Sequence, residues 1–338
     1  MAETAPMPSQ VPAPDQMPVP GKLPSTDEKL YIPENKILPQ EIISPHYLAT
    51  LKGKIIRENA DLWHDLGHRK GRNIDWKEIT KRAEEIRQGL LFEHQNPVEQ
   101  TMINCFWQTA KVITKAREAA KEGNYPLKLE ASKWQLETIK SIFYLENDPD
   151  LQGFLALFWR NIDKTGEYFC PDEPELIQGI KRGILTPIAA SRVFHKLDFE
   201  VYLPTSQQDA QNSTDLLLKR EKPDGKVDRI ALQCKGHWGE SFDMSAKKMT
   251  EYKHVEGRVG GDYKETLQWN SLLTSAGTYS KMIGGAEVVP MWVDVFGLGE
   301  GEESDDTSFT QFKPPGVTFS SFPQRFEKEL AKGGTANV

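Results

Sequence analysis

The chain has few of the features that place a sequence in a class at a glance. It has three cysteines, Cys105, Cys170 and Cys234, widely spaced and odd in number. That excludes a disulfide framework and predicts a reducing compartment, taken here as the cytoplasm. No apolar run approaches the roughly 20 residues of a membrane-spanning helix, so no membrane partner is expected. The opening stretch MAETAPMPSQVPAPDQ lacks the apolar centre of a secretory leader. Positive charge is scarce: 42 Lys and Arg against 49 Asp and Glu give a formal net charge of −7. A globally basic surface for nucleic acid is thereby excluded, whereas a local basic groove is not. Also missing are a Walker sequence, a cysteine cluster and a nucleophile motif. GRVGGDYK (257–264) is glycine-rich but lacks the Gly-Lys-Ser/Thr ending of a phosphate loop, and reads as a flexible loop.

Proline, in contrast, is dense at the start, with seven in the first 24 positions. Residues 1–40 are therefore expected to be a disordered, proline-rich tail, a possible ligand for a proline-binding partner. Residues 41–168 read as a helical domain, a second candidate surface for a protein partner. Within it, NPVEQTMINCFWQTAKVITKAREAAKEG predicts one helix, with Asn96 as N-cap, Pro97 at the first turn, Glu99 completing a capping box and Gly123 as the stop. Residues 130–145 predict a second helix with Trp134, Ile139, Ile142 and Phe143 near one stripe. Residues 150–163 predict a third, apolar nearly all round and so buried.

From about 169 to 321 the pattern changes to mixed α/β. TPIAASRVFHKL (186–197) predicts a helix opened by Thr186 and Pro187. DFEVYLP, TDLLLKRE and KVDRIALQCK read as three strands, residues 265–282 as a helix and AEVVPMWVDVFG as a further strand. GVTFSSF is a possible fifth strand, and 322–338 a C-terminal helix or tail.

The central hairpin is the most informative stretch. Gly225 can supply the left-handed residue of a three-residue loop at 223–225. Lys222 then faces Lys226, and Asp215 lies opposite Gln233. Side chains alternate along strands, so Asp215, Gln233 and Lys235 share one face, while Leu216, Leu218, Ile230, Leu232 and Cys234 take the other, a core face. A polar trio on an apolar hairpin is either a strand-end ion pair with Gln233 between its partners, or half of a reactive site.

The order helix, strand, strand led by Asp215, strand ending Gln233-x-Lys235, helix, strand resembles the PD-(D/E)xK nuclease superfamily, in its glutamine variant of the Mrr-like restriction-enzyme type. The resemblance covers about residues 186–297. The same three-residue string recurs along the chain, as DEK, DWK, DGK and EYK, but only QCK ends an apolar strand facing an aspartate. Pro223-Asp224 is a decoy, since it sits in the turn. The resemblance implies a restriction-endonuclease-like mixed sheet flanked by helices, preceded by the all-helical domain. It implies an Mg²⁺- or Mn²⁺-dependent endonuclease acting on nucleic acid, DNA ahead of RNA. Asp215, Gln233 and the backbone carbonyl of Cys234 would hold the metal, and Lys235 would orient the attacking water or grip the phosphate. Glu175 is the candidate for an additional acid. A degenerate domain of the same fold, binding nucleic acid or protein without cutting, is the alternative.

Lys247, Lys248, Lys253 and Arg258 form a basic set beyond the trio, a candidate backbone contact. HDLGH (64–68) places two histidines four apart, but Gly67 reads as a helix stop there, so the pair is expected to be structural. HRKGR (68–72) and the acidic GEGEESDDTS (299–308) read as solvated loops.

Overall fold

In the computed structural model, residues 30–32, 35–37, 53–55, 57–58, 76–94, 97–145, 152–239, 243–253, 261–298 and 321–332 are described. The proline-rich start, His64, His68, HRKGR, Arg258, the acidic stretch 299–308 and most of GVTFSSF lie outside them.

Gly225 adopts φ +80°, and its amide bonds the Lys222 carbonyl at 2.9 Å, so the chain reverses at the expected loop. β3 (Leu216–Glu221) and β4 (Val227–Gly236) therefore pair antiparallel with Leu216 opposite Leu232. They join β1 (Lys36–Ile37), β2 (Glu200–Tyr202), β5 (Asp243–Lys248) and β6 (Val289–Phe296) in one mixed sheet of order β1-β2-β3-β4-β6-β5. β4 and β6 are parallel; the other neighbours are antiparallel. β5 is an edge strand whose sequence, DMSAKK, carries little alternating apolar signal, and it is not among the strands expected from the sequence; lysines on an edge discourage further pairing.

Five helices of the N-terminal half are described: α1 (Trp76–Glu93), α2 (Pro97–Trp107), α3 (Thr109–Glu122), α4 (Tyr125–Leu145) and α5 (Gln152–Phe169). The single helix expected over 97–122 is divided at Gln108. The division is slight, since Gln108 stays right-handed and bonds both Asn104 and Val112 in the α pattern. Gly123, at φ +65°, caps α3 through the Ala119 carbonyl. On α4, Ile139, Ile142 and Phe143 are buried. One apolar cluster runs from Ile113, Ile142 and Phe158 of these helices to Ile188, Leu216, Leu232 and Val293 around the sheet.

The helix preceding the sheet corrects the sequence reading. α6 runs Pro174–His195, so Pro174 takes the first-turn position and Pro187 lies inside. A proline there removes the N–H that the carbonyl four residues back would accept. That carbonyl is Gly183, and Gln135 Nε2 of α4 donates to it at 3.0 Å. Only a glycine admits this approach: a Cβ at 183 would lie 2.7 Å from the same nitrogen. The interior proline is tolerated because a neighbouring helix supplies the missing donor.

α7 (Ser206–Asn212) precedes β3, capped by the reciprocal Thr205–Gln208 bonds, and α8 (Gly261–Met282) crosses between β5 and β6. The sheet is covered on both faces. Leu217, Ala231 and Trp292 pack with Trp269 and Leu273 of α8, while Leu216, Leu218 and Leu232 belong to the α6 side. α9 (Phe322–Leu330) buries Phe322, Phe326 and Leu330 at helical spacing, with Phe326 5.1 Å from the Phe194 ring of α6. Among the described residues, no helix is long and apolar enough to cross a membrane.

Candidate functional site

The hairpin brings the polar trio to the end of β4. Asp215 donates its amide to the Leu232 carbonyl at 2.8 Å, so it shares Leu232 with Leu216 and the ladder is interrupted there, as at a bulge. Its carboxylate is held by two donors on one oxygen: Gln233 Nε2 at 2.5 Å and the Cys234 amide at 2.6 Å, both on Oδ2. Gln233 is 5% exposed, and its Oε1 is buried with no hydrogen-bond partner. An unmet buried acceptor costs about 1–3 kcal/mol, so it is an unusual thing to keep in a sheet.

In a strand, one residue's N–H and C=O point towards the same neighbour. The Cys234 amide faces Asp215, so its carbonyl also faces the β3 side, beyond the first residue of that strand. The Asp215 carboxylate and the Cys234 carbonyl both accept from Gln233 Nε2, at 2.5 and 3.4 Å, and exchanging the two ends of that amide would bring Oε1 to both of them. Oxygen donors of this kind suit Mg²⁺ or Mn²⁺, and the partnerless Oε1 is the atom that such an ion would satisfy. Among the described residues, no group of three or more His, Cys, Asp or Glu is placed to hold a metal.

Lys235 donates to Gln268 Oε1 of α8 at 2.5 Å and lies 5.5 Å from the centre of the Trp292 ring. Gln268 was not foreseen as part of the site. Two ammonium hydrogens remain for other acceptors. The Cys234 thiol is pushed well up by burial, with the Asp215 charge beside it adding to the effect, so it is no nucleophile.

A pocket of about 310 Å³ opens at this point, lined by Asp215, Gln233, Cys234 and Lys235 on one side and by Arg182, Gly183 and Thr186 of α6 on the other. α6 comes close because β4 ends in glycine: a Cβ on Gly236 would fall 2.1 Å from Thr186 Oγ1. Arg182 adds a second cation that the sequence reading missed, because the helix was expected to open at Thr186, four residues beyond it. Glu175 shares its helical stripe but lies exposed one turn before Gly179 and does not line the pocket.

Burial pushes the Asp215 carboxyl up to about 8, and the charge of Asp209 adds to this; the Cys234 amide, Lys235 and Gln233 oppose it. Asp209, on α7, is itself raised to about 6 by burial against the opposing Ser132 hydroxyl. This second acid was also missed, although Thr205-x-x-Gln208 carries the capping-box signature of the short helix that presents it.

Of the basic set, Lys253 sits 3.9 Å over the Trp269 ring and Lys247 5.2 Å from it. Lys248 is turned inward, 9% exposed, and donates to the Lys332 carbonyl at 2.8 Å. No family model, curated protein or solved structure matches the chain.

Proposed function

We propose that the chain is a metal-dependent nuclease of the PD-(D/E)xK type, hydrolysing phosphodiester bonds of nucleic acid as an endonuclease. The observation that carries the reading is the buried, partnerless Gln233 Oε1 beside the Asp215 carboxylate, in a pocket that also presents Lys235 and Arg182. The order α6, β2, β3, β4, α8, β6, into which α7 and the edge strand β5 are inserted, and the parallel pairing of β6 with β4 support it further.

Asp215, Gln233 Oε1 and the Cys234 carbonyl would hold Mg²⁺ or Mn²⁺, which when bound supplies an activated water and Lewis acidity at the phosphorus. Lys235, steadied by Gln268, donates to the water or to a non-bridging phosphate oxygen. Arg182, on the facing wall, neutralises a phosphate entering the pocket. The raised carboxyl of Asp215 is brought back to its charged form by a cation among these oxygens.

The test is cleavage of single- and double-stranded DNA and RNA with Mg²⁺ or Mn²⁺, beside Lys235→Ala. Metal-dependent cutting that falls by roughly 100-fold or more in the variant is expected, the scale of losing one preorganised donor. Undiminished activity in Lys235→Ala overturns the assignment. A second reading, a degenerate domain that binds without cutting, draws on one observation: Gln233 stands where a second carboxylate would be. Binding without cleavage, and without metal uptake, favours that reading.

A further inference from the structure

Immediately beyond Lys235 the sheet end carries a built aromatic surface that the nuclease reading does not use. The His237 amide bonds the Val295 carbonyl at 2.8 Å, so the β4–β6 pairing runs on past Gly236. Alternation then puts His237 on the face of Gln233 and Lys235, about 7 Å along from Lys235. Its Nε2 donates to Asp294 Oδ1 at 2.9 Å, an oxygen that also accepts from Trp292 Nε1 at 3.3 Å. The imidazole lies flat against the Phe296 ring, with centroids 4.6 Å apart and planes inclined by 16°. Both rings are open to solvent: the His237 side chain is 45% exposed and Phe296 38%. On the other face, Trp238 lies 6.0 Å from the guanidinium of Arg182, which lines the pocket. An exposed pair of rings, fixed by a carboxylate on the face that carries Lys235, combines a flat apolar surface with charge suited to phosphates.

We propose that His237 and Phe296 form a stacking platform for an unpaired base, so that the site takes single-stranded nucleic acid. The proposal rests on the nuclease reading for the position of the phosphate, at Lys235. A paired base keeps its faces against its neighbours and offers none to the platform, whereas an unpaired base offers both. The bond to Asp294 fixes the plane of the imidazole, so little side-chain freedom is lost when a base stacks.

The experiment is equilibrium binding with metal chelated, so that nothing is cut. Three dye-labelled probes of equal length are compared: a thymidine single strand, its duplex, and an abasic single strand that keeps the phosphates and lacks the bases. The single strand should bind most tightly. Phe296→Ala should weaken it on the order of ten-fold while leaving the abasic strand unchanged, the scale of one lost base–aromatic stack. Phe296→Trp should restore binding. Equal binding of the abasic strand, preference for the duplex, or a Phe296→Ala protein that matches wild type overturns the platform. The two ideas fail separately: a strand that binds through Phe296 but is never cut sinks only the nuclease, and cutting that ignores Phe296 sinks only the platform.

Discussion

Gln135 lies in the helical half, yet it repairs the wall of the pocket, and its contribution can be isolated. Gln135→Leu removes the donor that meets the Gly183 carbonyl at 3.0 Å. That carbonyl has no intrahelical partner because residue 187 is proline, so the change leaves a part-buried acceptor unmet, at about 1–2 kcal/mol. Pro187→Ala returns an N–H to residue 187, which can bond the Gly183 carbonyl four residues back. In that background Gln135→Leu should cost below about 0.5 kcal/mol, leaving a coupling energy near 1 kcal/mol. Urea unfolding followed by circular dichroism, on wild type, both single variants and the double variant, measures the four stabilities. If the two single effects simply add, the bond to Gln135 is not what accommodates the proline.

Three further outcomes are expected. The folded Asp215 carboxyl holds its proton up to about 8, against 3.8 for the free side chain, so its destabilising effect is absent below pH 4 and grows as pH rises towards 8; Asp215→Asn should flatten that decline in a pH series of urea midpoints, and an unaltered slope refutes it. Gln233→Glu replaces the donor to Asp215 with a second negative charge, so the melting temperature should fall without metal and recover with Mg²⁺ more than wild type gains; a variant as stable as wild type without metal contradicts the geometry. Gly236→Ala places a Cβ 2.1 Å from Thr186 Oγ1 and 2.6 Å from Leu298 Cδ1, and should cost about 1–3 kcal/mol, partly regained by Thr186→Ala, as read by thermal melts.

The hairpin was legible because its register follows from a single turn. Once Gly225 closes the loop, the pairs from Glu221 with Val227 to Leu216 with Leu232 are determined; beyond them the Asp215 amide leaves the ladder, and it is the side chains of Asp215 and Gln233 that meet. The α6-side face, Leu216, Ile230 and Leu232, was legible from period-two alternation, whereas the equal burial of Leu217 and Ala231 under α8 on the opposite face was not. The far wall of the pocket was not. Pro187 after Thr186 has the local form of a helix start, and only Gln135, distant in sequence, allows α6 to run through it. With the start misplaced, Arg182 fell outside the helix and the pocket had one wall. Gln268 was hidden differently: α8 was foreseen, but which of its polar residues meets Lys235 depends on how the helix lies across the sheet. Asp209 was within reach, since the capping box at Thr205 marks a helix start four residues before it.

Lys36 of β1 is paired with Glu200 of β2, across 164 positions of chain, and the two strands are immediate neighbours in the sheet. Closing a loop of that length costs about 4.5 kcal/mol of chain entropy, against about 1.4 kcal/mol for a five-residue turn. β1 contributes only two residues to the ladder and cannot offset that difference alone. The order of assembly follows: the β3–β4 hairpin forms early and locally, and β1 docks only after the helices between have drawn its ends together. The end of β4 that carries Gln233 and Lys235 is thus laid down among the first contacts of the chain, and the sheet is completed last at the edge farthest from β5.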